Sequence, residues 1–228
     1  MKITSLSAAP EKAVSLSNPH AGQPIFASGE GLEHARAAFL LVHGRGASAY
    51  DILGLAAELE MPGFAYLAPQ AAGNTWYPNR FFVQSASNQP WLDSALTAVE
   101  RTLERITTGG IPPDQVILIG FSQGACLALE FAARNARRYG GVIGLSGGLI
   151  GADGEARNDR GNLMGTPVFL GCSDIDPHIP LERVYHTERV LQALGGSVET
   201  RIFPGMGHSV NPDELSAVKK IMENLIEG

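Results

Sequence analysis

The chain has 228 residues, of which 44% are hydrophobic and 18% are charged, an ordinary balance for a globular protein. Its formal net charge of -6 argues against nucleic-acid binding, because phosphate backbones are bound by basic surfaces. No stretch of the sequence is long and apolar enough to span a membrane, and the first residues have no apolar core of signal-peptide length. We therefore expect a single cytoplasmic domain over residues 1–228, without membrane insertion.

Strand-like and helix-like segments alternate along the chain. Residues 1–35 are rich in Ser, Ala, Gly and Pro, and we expect a strand or hairpin with loop there. Apolar runs then predict strands at 37–43, 64–70, 115–120, 141–147, 166–172 and 197–203. Helical periodicity predicts helices at 49–60, 91–106, 122–135, 181–194 and from 212 onward. For the last helix, Asn211 is the expected cap and Glu214 the expected capping-box acid. Alternating elements with continuously apolar strands indicate an α/β fold, a mostly parallel sheet with helices on both faces.

One short stretch stands between the predicted strand 115–120 and the helix that follows it, Gly120-Phe121-Ser122-Gln123-Gly124. Glycines at the two ends allow strand and helix backbones to approach closely, because they have no Cβ. The serine between them is then held on a sharp turn above the sheet edge, the arrangement called a nucleophile elbow. The alternative is a serine that caps the helix, with the glycines present for packing.

A serine nucleophile needs a base, and the base needs an acid to orient it. His208 lies in a glycine-rich loop after the last strand, at the carboxyl edge of the sheet, and is the predicted base. His186 lies inside a helix and is predicted to be a surface or packing residue. The loop after the preceding strand offers Asp174 and Asp176, and spacing alone leaves both open as the acid.

A tetrahedral intermediate also needs backbone N–H groups that bind its oxyanion. The residue after the nucleophile, Gln123, supplies one, and a loop after an earlier strand supplies the other. The stretch His43-Gly44-Arg45-Gly46 fits that loop. We interpret His43 as a structural residue of the loop.

Aromatic residues are dense in the stretch from 74 to 91. We predict that Trp76, Tyr77 and Phe81 belong to a partly apolar pocket for the acyl or alcohol group, in a segment that also holds Phe82 and Trp91. The alternative is that these rings only fix a long loop to the core.

The two cysteines, Cys126 and Cys172, lie within or at the end of apolar runs. Two cysteines in a chain of this size do not form a disulfide framework. We expect both to be buried free thiols.

Several motifs together resemble the phospholipase/carboxylesterase family of α/β hydrolases, which includes the acyl-protein thioesterases. They run in family order from about residue 38 to 210: LLVHGRG, APQAAGNTWYP, LIGFSQGACLAL, GLSGG, GCSDIDPHIP and PGMGH. The resemblance implies an α/β-hydrolase fold and a serine hydrolase that cleaves carboxylic esters with short to medium acyl groups. The expected partner is a small-molecule ester, and the chain is expected to be a monomer or homodimer.

The resemblance also assigns roles to single residues. The family's acid stands directly before a proline in a D-P-x-[VI]-P pattern, which here selects Asp176. Ser122 is then the nucleophile and His208 the general base and acid, while Arg45 and Gln123 give the oxyanion N–H groups. No metal and no organic cofactor is implied. A thioesterase or lysophospholipase would use the same triad, and a non-catalytic ligand-binding module is disfavoured because all three residues are present.

One departure from the family concerns the oxyanion loop. The acyl-protein thioesterases carry a leucine between the loop glycines and an acid just after them, whereas this chain has Arg45 and Ala47. The chain is therefore more similar to the bacterial esterase branch. Arg45 either reaches an anionic part of a substrate or is a solvated loop residue.

Overall fold

The computed structural model describes residues 2–6 and 17–227. In chain order the strands are β1 (Thr4–Leu6), β2 (Ile25–Gly29), β3 (Ala37–Val42), β4 (Phe64–Pro69), β5 (Val116–Phe121), β6 (Gly141–Leu145), β7 (Pro167–Ser173) and β8 (Ser197–Phe203). The helices are α1 (Ala49–Ala57), α2 (Trp91–Thr108), α3 (Gln123–Arg134), α4 (Leu181–Ala193) and α5 (Pro212–Glu227). Short 3-10 turns lie at Ala72–Asn74, Ser85–Asn88 and Pro113–Gln115.

All these strands belong to one sheet in the order β1-β2-β4-β3-β5-β6-β7-β8. The pairs β1–β2 and β2–β4 are antiparallel, and every pair from β4 to β8 is parallel. The expectation of a mostly parallel sheet is therefore confirmed. The strand or hairpin expected within residues 1–35 corresponds to β1 and β2, although residues 7–16 lie outside the described part.

Both faces of the sheet are covered by helices. In β3, Leu40 and Val42 pack on the side of α2, α3 and α4, while Phe39 and Leu41 pack on the side of α1 and α5. Successive residues of a strand point to opposite faces, so a strand with two covered faces must be apolar at every position. This explains why the strands β3 to β7 read as continuous apolar runs.

The predicted helices and strands from residue 37 onward are all present. The largest difference is at α1, which ends at Ala57 although the periodicity extends to Glu60. The backbone N–H groups of residues 58–60 instead donate to carbonyls three residues back, which is the 3-10 pattern. One example is the Leu59 N–H, 3.0 Å from the Ala56 oxygen. Within the described ranges, no helix is both long and apolar enough to cross a membrane.

The last helix has the capping box that its sequence predicts. The Asn211 Oδ1 accepts the Glu214 backbone N–H at 2.9 Å, and the Glu214 Oε2 accepts the Asn211 N–H at 2.9 Å. The Glu214 side chain is fully buried, and burial raises its pKa to about 7. The cap fixes the end of the loop that carries His208, three residues before Asn211.

Candidate active site

Ser122 occupies the turn between β5 and α3 in a strained conformation. Its φ of 56° and ψ of -122° lie outside the regions that a serine normally adopts. A Cβ added to Gly120 would overlap the Gly124 backbone, and one added to Gly124 would overlap the Val42 carbonyl oxygen. The glycines are therefore required by close approach of three backbone segments, as the elbow motif predicts.

The Ser122 hydroxyl lies at the start of a chain of two hydrogen bonds. The His208 Nε2 is 2.8 Å from the Ser122 Oγ, and the His208 Nδ1 is 2.7 Å from the Asp176 Oδ2. A carboxylate only accepts hydrogen bonds, so Nδ1 carries the proton and Nε2 accepts from the serine hydroxyl. In this tautomer the imidazole can take the proton of the hydroxyl.

The Asp176 side chain is held beside His208 by contacts on both carboxylate oxygens. Its side chain is 0% exposed, and its second oxygen, Oδ1, accepts the backbone N–H groups of His178 at 2.8 Å and Ile179 at 3.2 Å. Both carboxylate oxygens are therefore satisfied, which lowers the cost of burying the charge. The three side chains come from loops at one edge because the carboxyl ends of β5, β7 and β8 meet there.

Asp174, the other acid that spacing left open, has a different environment. Its Oδ1 accepts the Gly205 backbone N–H at 2.8 Å, and the neighbouring Ser173 Oγ accepts the Gly207 N–H at 3.0 Å. Both donors belong to the loop that carries His208. Asp174 and Ser173 therefore tie this loop to the end of β7.

The loop after β3 is fixed by His43, which is fully buried. Its Nδ1–H donates to the Gly44 carbonyl at 2.8 Å, and its Nε2 accepts the Ala71 N–H at 3.1 Å. Burial lowers the pKa of His43, so the ring stays neutral and can use both nitrogens in this way. These contacts fit the interpretation of His43 as a structural residue.

The backbone N–H groups of Arg45 and Gln123 are both available to a ligand. Neither has an acceptor within the part of the chain that the structure describes. Gln123 is the first residue of α3, and the first N–H groups of a helix have no partner inside it. The free donors and the positive end of the helix favour negative charge beside Ser122.

The Trp76 side chain supports this loop and does not line the cavity. Its indole Nε1–H donates to the His43 carbonyl at 2.8 Å, and its backbone N–H donates to the Gln123 Oε1 at 2.9 Å. Trp76 is 0% exposed. The sequence predicts that Trp76 contacts substrate, whereas the structure places its side chain outside the cavity lining, because its polar edge is bonded to the backbone of the neighbouring loop.

A cavity of about 280 Å³ opens beside Ser122 and His208. Its apolar walls are formed by Tyr77, Phe81 and Phe82 from the aromatic stretch and by Ile179. Trp91 does not line it, and its ring instead contacts the His20 ring edge-on at 5.4 Å between centroids. Part of the aromatic stretch therefore faces the site, and part fixes the loop to the core.

Both cysteines are buried free thiols, as expected. Burial raises the pKa of Cys126 and of Cys172 to about 12, so both are protonated at neutral pH. The Cys172 Sγ lies 4.0 Å from the Asp176 Oδ2 and is a weak partner for it at most. His186, in α4, has a pKa lowered by burial and then by Arg183, and it lies outside this cavity.

Three residues that line the cavity have no role predicted from the sequence, Arg80, His178 and Ile179. The His178 ring contacts the His208 ring edge-on, with 4.7 Å between centroids. His178 follows Asp176 by two residues, so its place in the loop of the acid is the only sequence signal for it. Arg80 lies in the aromatic stretch, where a charged residue among apolar rings is the sequence signal for it.

The sheet and the serine turn define an α/β hydrolase. The chain belongs to the phospholipase/carboxylesterase family, whose model matches residues 26–226. It is 41% identical to the structure of a phospholipase/carboxylesterase from Dyadobacter fermentans, with a TM-score of 0.84 over 87% of this chain and 95% of that one.

Curated relatives include acyl-protein thioesterase 1 of Saccharomyces cerevisiae, 32% identical over 142 residues that are 58% of this chain and 60% of the relative. Acyl-protein thioesterase 1 of Gibberella zeae is 35% identical over 117 residues, 50% of this chain and 49% of the relative. The chain thus matches about half to three fifths of the length of these relatives.

Proposed function

We propose that the protein is a serine hydrolase that cleaves carboxylic esters with short to medium acyl groups. The observation that carries the proposal is the hydrogen-bonded chain Ser122–His208–Asp176, which opens on the cavity. Membership of a family of hydrolases supports it. The structure of the bacterial relative, at 41% identity, favours the esterase branch.

The proposed reaction begins with attack of the Ser122 Oγ on the acyl carbonyl carbon. The His208 Nε2 takes the hydroxyl proton, and Asp176 stabilises the imidazolium that forms. The carbonyl oxygen gains negative charge and is bound by the N–H groups of Arg45 and Gln123. Both N–H groups have no acceptor in the described part of the chain, so their hydrogen bonds to this oxygen would strengthen as its negative charge develops.

Collapse of the tetrahedral intermediate breaks the ester C–O bond. The imidazolium returns its proton to the alcohol oxygen, and the acyl group stays on Ser122. A water molecule, activated by the same Nε2, then attacks the acyl-enzyme and releases the acid. Each proton taken is given back, so the enzyme returns to its starting state.

The cavity suits a modest acyl group. Its volume of about 280 Å³ is near the lower end of ligand pockets, which hold roughly 300–1,000 Å³. Its walls are aromatic and aliphatic. A thioester would follow the same steps, and the names of the curated relatives keep acyl-protein thioesterase activity as the second candidate. Lysophospholipase activity is a third use of the same triad.

Hydrolysis of para-nitrophenyl esters from acetate to laurate, by wild type and Ser122→Ala side by side, tests the proposal. We expect Ser122→Ala to lower kcat by at least about 10⁴-fold, since the nucleophile is lost. For the wild type, kcat/KM should fall as the acyl chain of the ester lengthens toward laurate. Alanine and serine have similar allowed φ and ψ angles, so the substitution adds no backbone strain at the turn. Circular dichroism should therefore show a folded variant. Equal activity in the variant would exclude Ser122 as the nucleophile, whereas a folded but inactive wild type would favour the ligand-binding module.

A further inference from the structure

The rim of the cavity is positively charged and carries no acidic group. Arg45, Arg80 and His178 line it together with Ser122 and His208. No carboxylate of residues 2–6 or 17–227 is part of the lining. The orienting acid, Asp176, is fully buried and bonded to His208 behind the wall. A negative group entering the cavity therefore meets two guanidinium groups and no opposing charge.

The two guanidinium groups are held against the aromatic walls. The Arg45 Cζ lies 6.0 Å from the centre of the Tyr77 ring, and the Arg80 Cζ lies 5.5 Å from the centre of the Phe82 ring. At these distances a guanidinium is attracted to the face of the ring. Arg80, unlike Arg45, has no acceptor for its guanidinium N–H groups within the described ranges, so they are available to donate. The positive groups are thereby placed beside the apolar surface that a substrate would touch.

Arg45 is fixed further by the loop that it meets. Its Nη1 donates to the Pro78 carbonyl at 3.0 Å and its Nη2 to the Asn79 carbonyl at 2.7 Å. These acceptors are neutral, so the positive charge is not cancelled. Arg45 therefore holds the segment at Pro78 and Asn79 in place and also contributes positive charge to the rim of the cavity.

Arg80 has no compensating carboxylate in the described ranges. Several other arginines of the described ranges also have no ion pair, among them Arg105, Arg138 and Arg189. What distinguishes Arg80 is its place with Arg45 in the lining of the cavity that holds Ser122. Two positive groups in a lining without a carboxylate favour an anionic ligand there.

We infer that the preferred substrate is an ester that also carries a carboxylate, such as a half-ester of a dicarboxylic acid. The inference rests on the proposed function and narrows it. The ester carbonyl lies at Ser122, the alkyl chain lies against Tyr77 and Phe82, and the carboxylate lies at the guanidinium edge of Arg80. Planar guanidinium groups match carboxylates with two parallel hydrogen bonds.

The test compares two para-nitrophenyl esters with six-carbon acyl groups, the hemiadipate, which carries a carboxylate, and the neutral hexanoate. The ratio of their kcat/KM values, corrected for uncatalysed hydrolysis, is measured for wild type, Arg80→Gln and Lys220→Gln. Lys220 is an exposed residue of α5 and provides the charge-matched control. We expect Arg80→Gln to lower the ratio about three- to fivefold, the range for a charge pair at a solvated rim. Lys220→Gln should leave it unchanged.

A binding experiment separates this inference from the proposed function. Calorimetry measures the affinity of methyl hydrogen adipate and of methyl hexanoate for Ser122→Ala protein, where no turnover occurs. Tighter binding of the charged ester, lost when Arg80→Gln is added, supports the inference even if no ester is hydrolysed. Equal binding of both esters, or an unchanged hemiadipate-to-hexanoate ratio in Arg80→Gln, overturns it.

Discussion

Replacement of Asp176 by asparagine is expected to lower kcat about 10⁴-fold while leaving the fold intact. The Asp176 Oδ1 accepts two backbone N–H groups, from His178 and Ile179. An asparagine must therefore place its carbonyl oxygen there and its NH₂ toward His208. The NH₂ can only donate, so the imidazole would turn to the tautomer with its proton on Nε2. That nitrogen could then no longer accept the Ser122 proton.

The measurement is kcat for para-nitrophenyl butyrate, with the melting temperature recorded for each variant. Asp174→Asn is the matched control, because its remaining carbonyl oxygen can still accept the Gly205 N–H. We expect the control to stay within about tenfold of wild type, since it removes no acceptor that the loop needs. A folded Asp176→Asn protein with near wild-type kcat would remove Asp176 from the catalytic chain.

Gly124→Ala is expected to give the largest loss of stability among single methyl additions at the site. The new Cβ would overlap the Val42 carbonyl oxygen and lie 2.5 Å from the His43 oxygen. Both are backbone atoms of β3 and its loop, so neither can rotate away. Moving α3 off the sheet should cost about 3 kcal/mol or more and lower the melting temperature by about 6–12 °C.

Gly54→Ala serves as the control for this variant. Gly54 lies inside α1, and a Cβ there would meet nothing within 4 Å. Alanine is favoured over glycine in a helix interior by about 1 kcal/mol, so this variant should be slightly stabilised. Thermal denaturation followed by circular dichroism compares the two. An unchanged melting temperature for Gly124→Ala would contradict the close contact between α3 and β3.

Much of the fold follows from local patterns in the sequence. Continuous apolar runs identify the parallel strands β3 to β7 because each is buried on two faces, as the alternating contacts of β3 illustrate. The turn at Ser122 is also local, since both glycines that it needs lie within two residues. His208 is predicted from its place in a glycine-rich loop that follows the last strand, at the carboxyl edge of the sheet. These features depend on residues close together in the chain.

The features that sequence alone does not fix depend on distant partners. Asp174 and Asp176 lie two residues apart, and spacing alone leaves both open; the family's D-P-x-[VI]-P pattern selects Asp176, and packing of the His208 loop gives the two acids different partners. The density of aromatic residues predicts that Trp76 lines the substrate pocket, but its indole Nε1–H donates to the carbonyl of His43, which is 33 residues away. The positive charge of Arg80 is relevant to the site because Arg80 and Ser122 line the same cavity, and the sequence does not show this.

The most direct test of the account is covalent labelling of Ser122 with a fluorophosphonate probe, which reacts with activated serine nucleophiles. Intact mass is recorded after exposure to one equivalent of probe, and the labelled peptide is sequenced. The account predicts a single adduct on Ser122 in the wild type and none in folded Ser122→Ala protein. A folded wild type that stays unlabelled, or a variant that is labelled equally, would contradict the claim that Ser122 is an activated nucleophile.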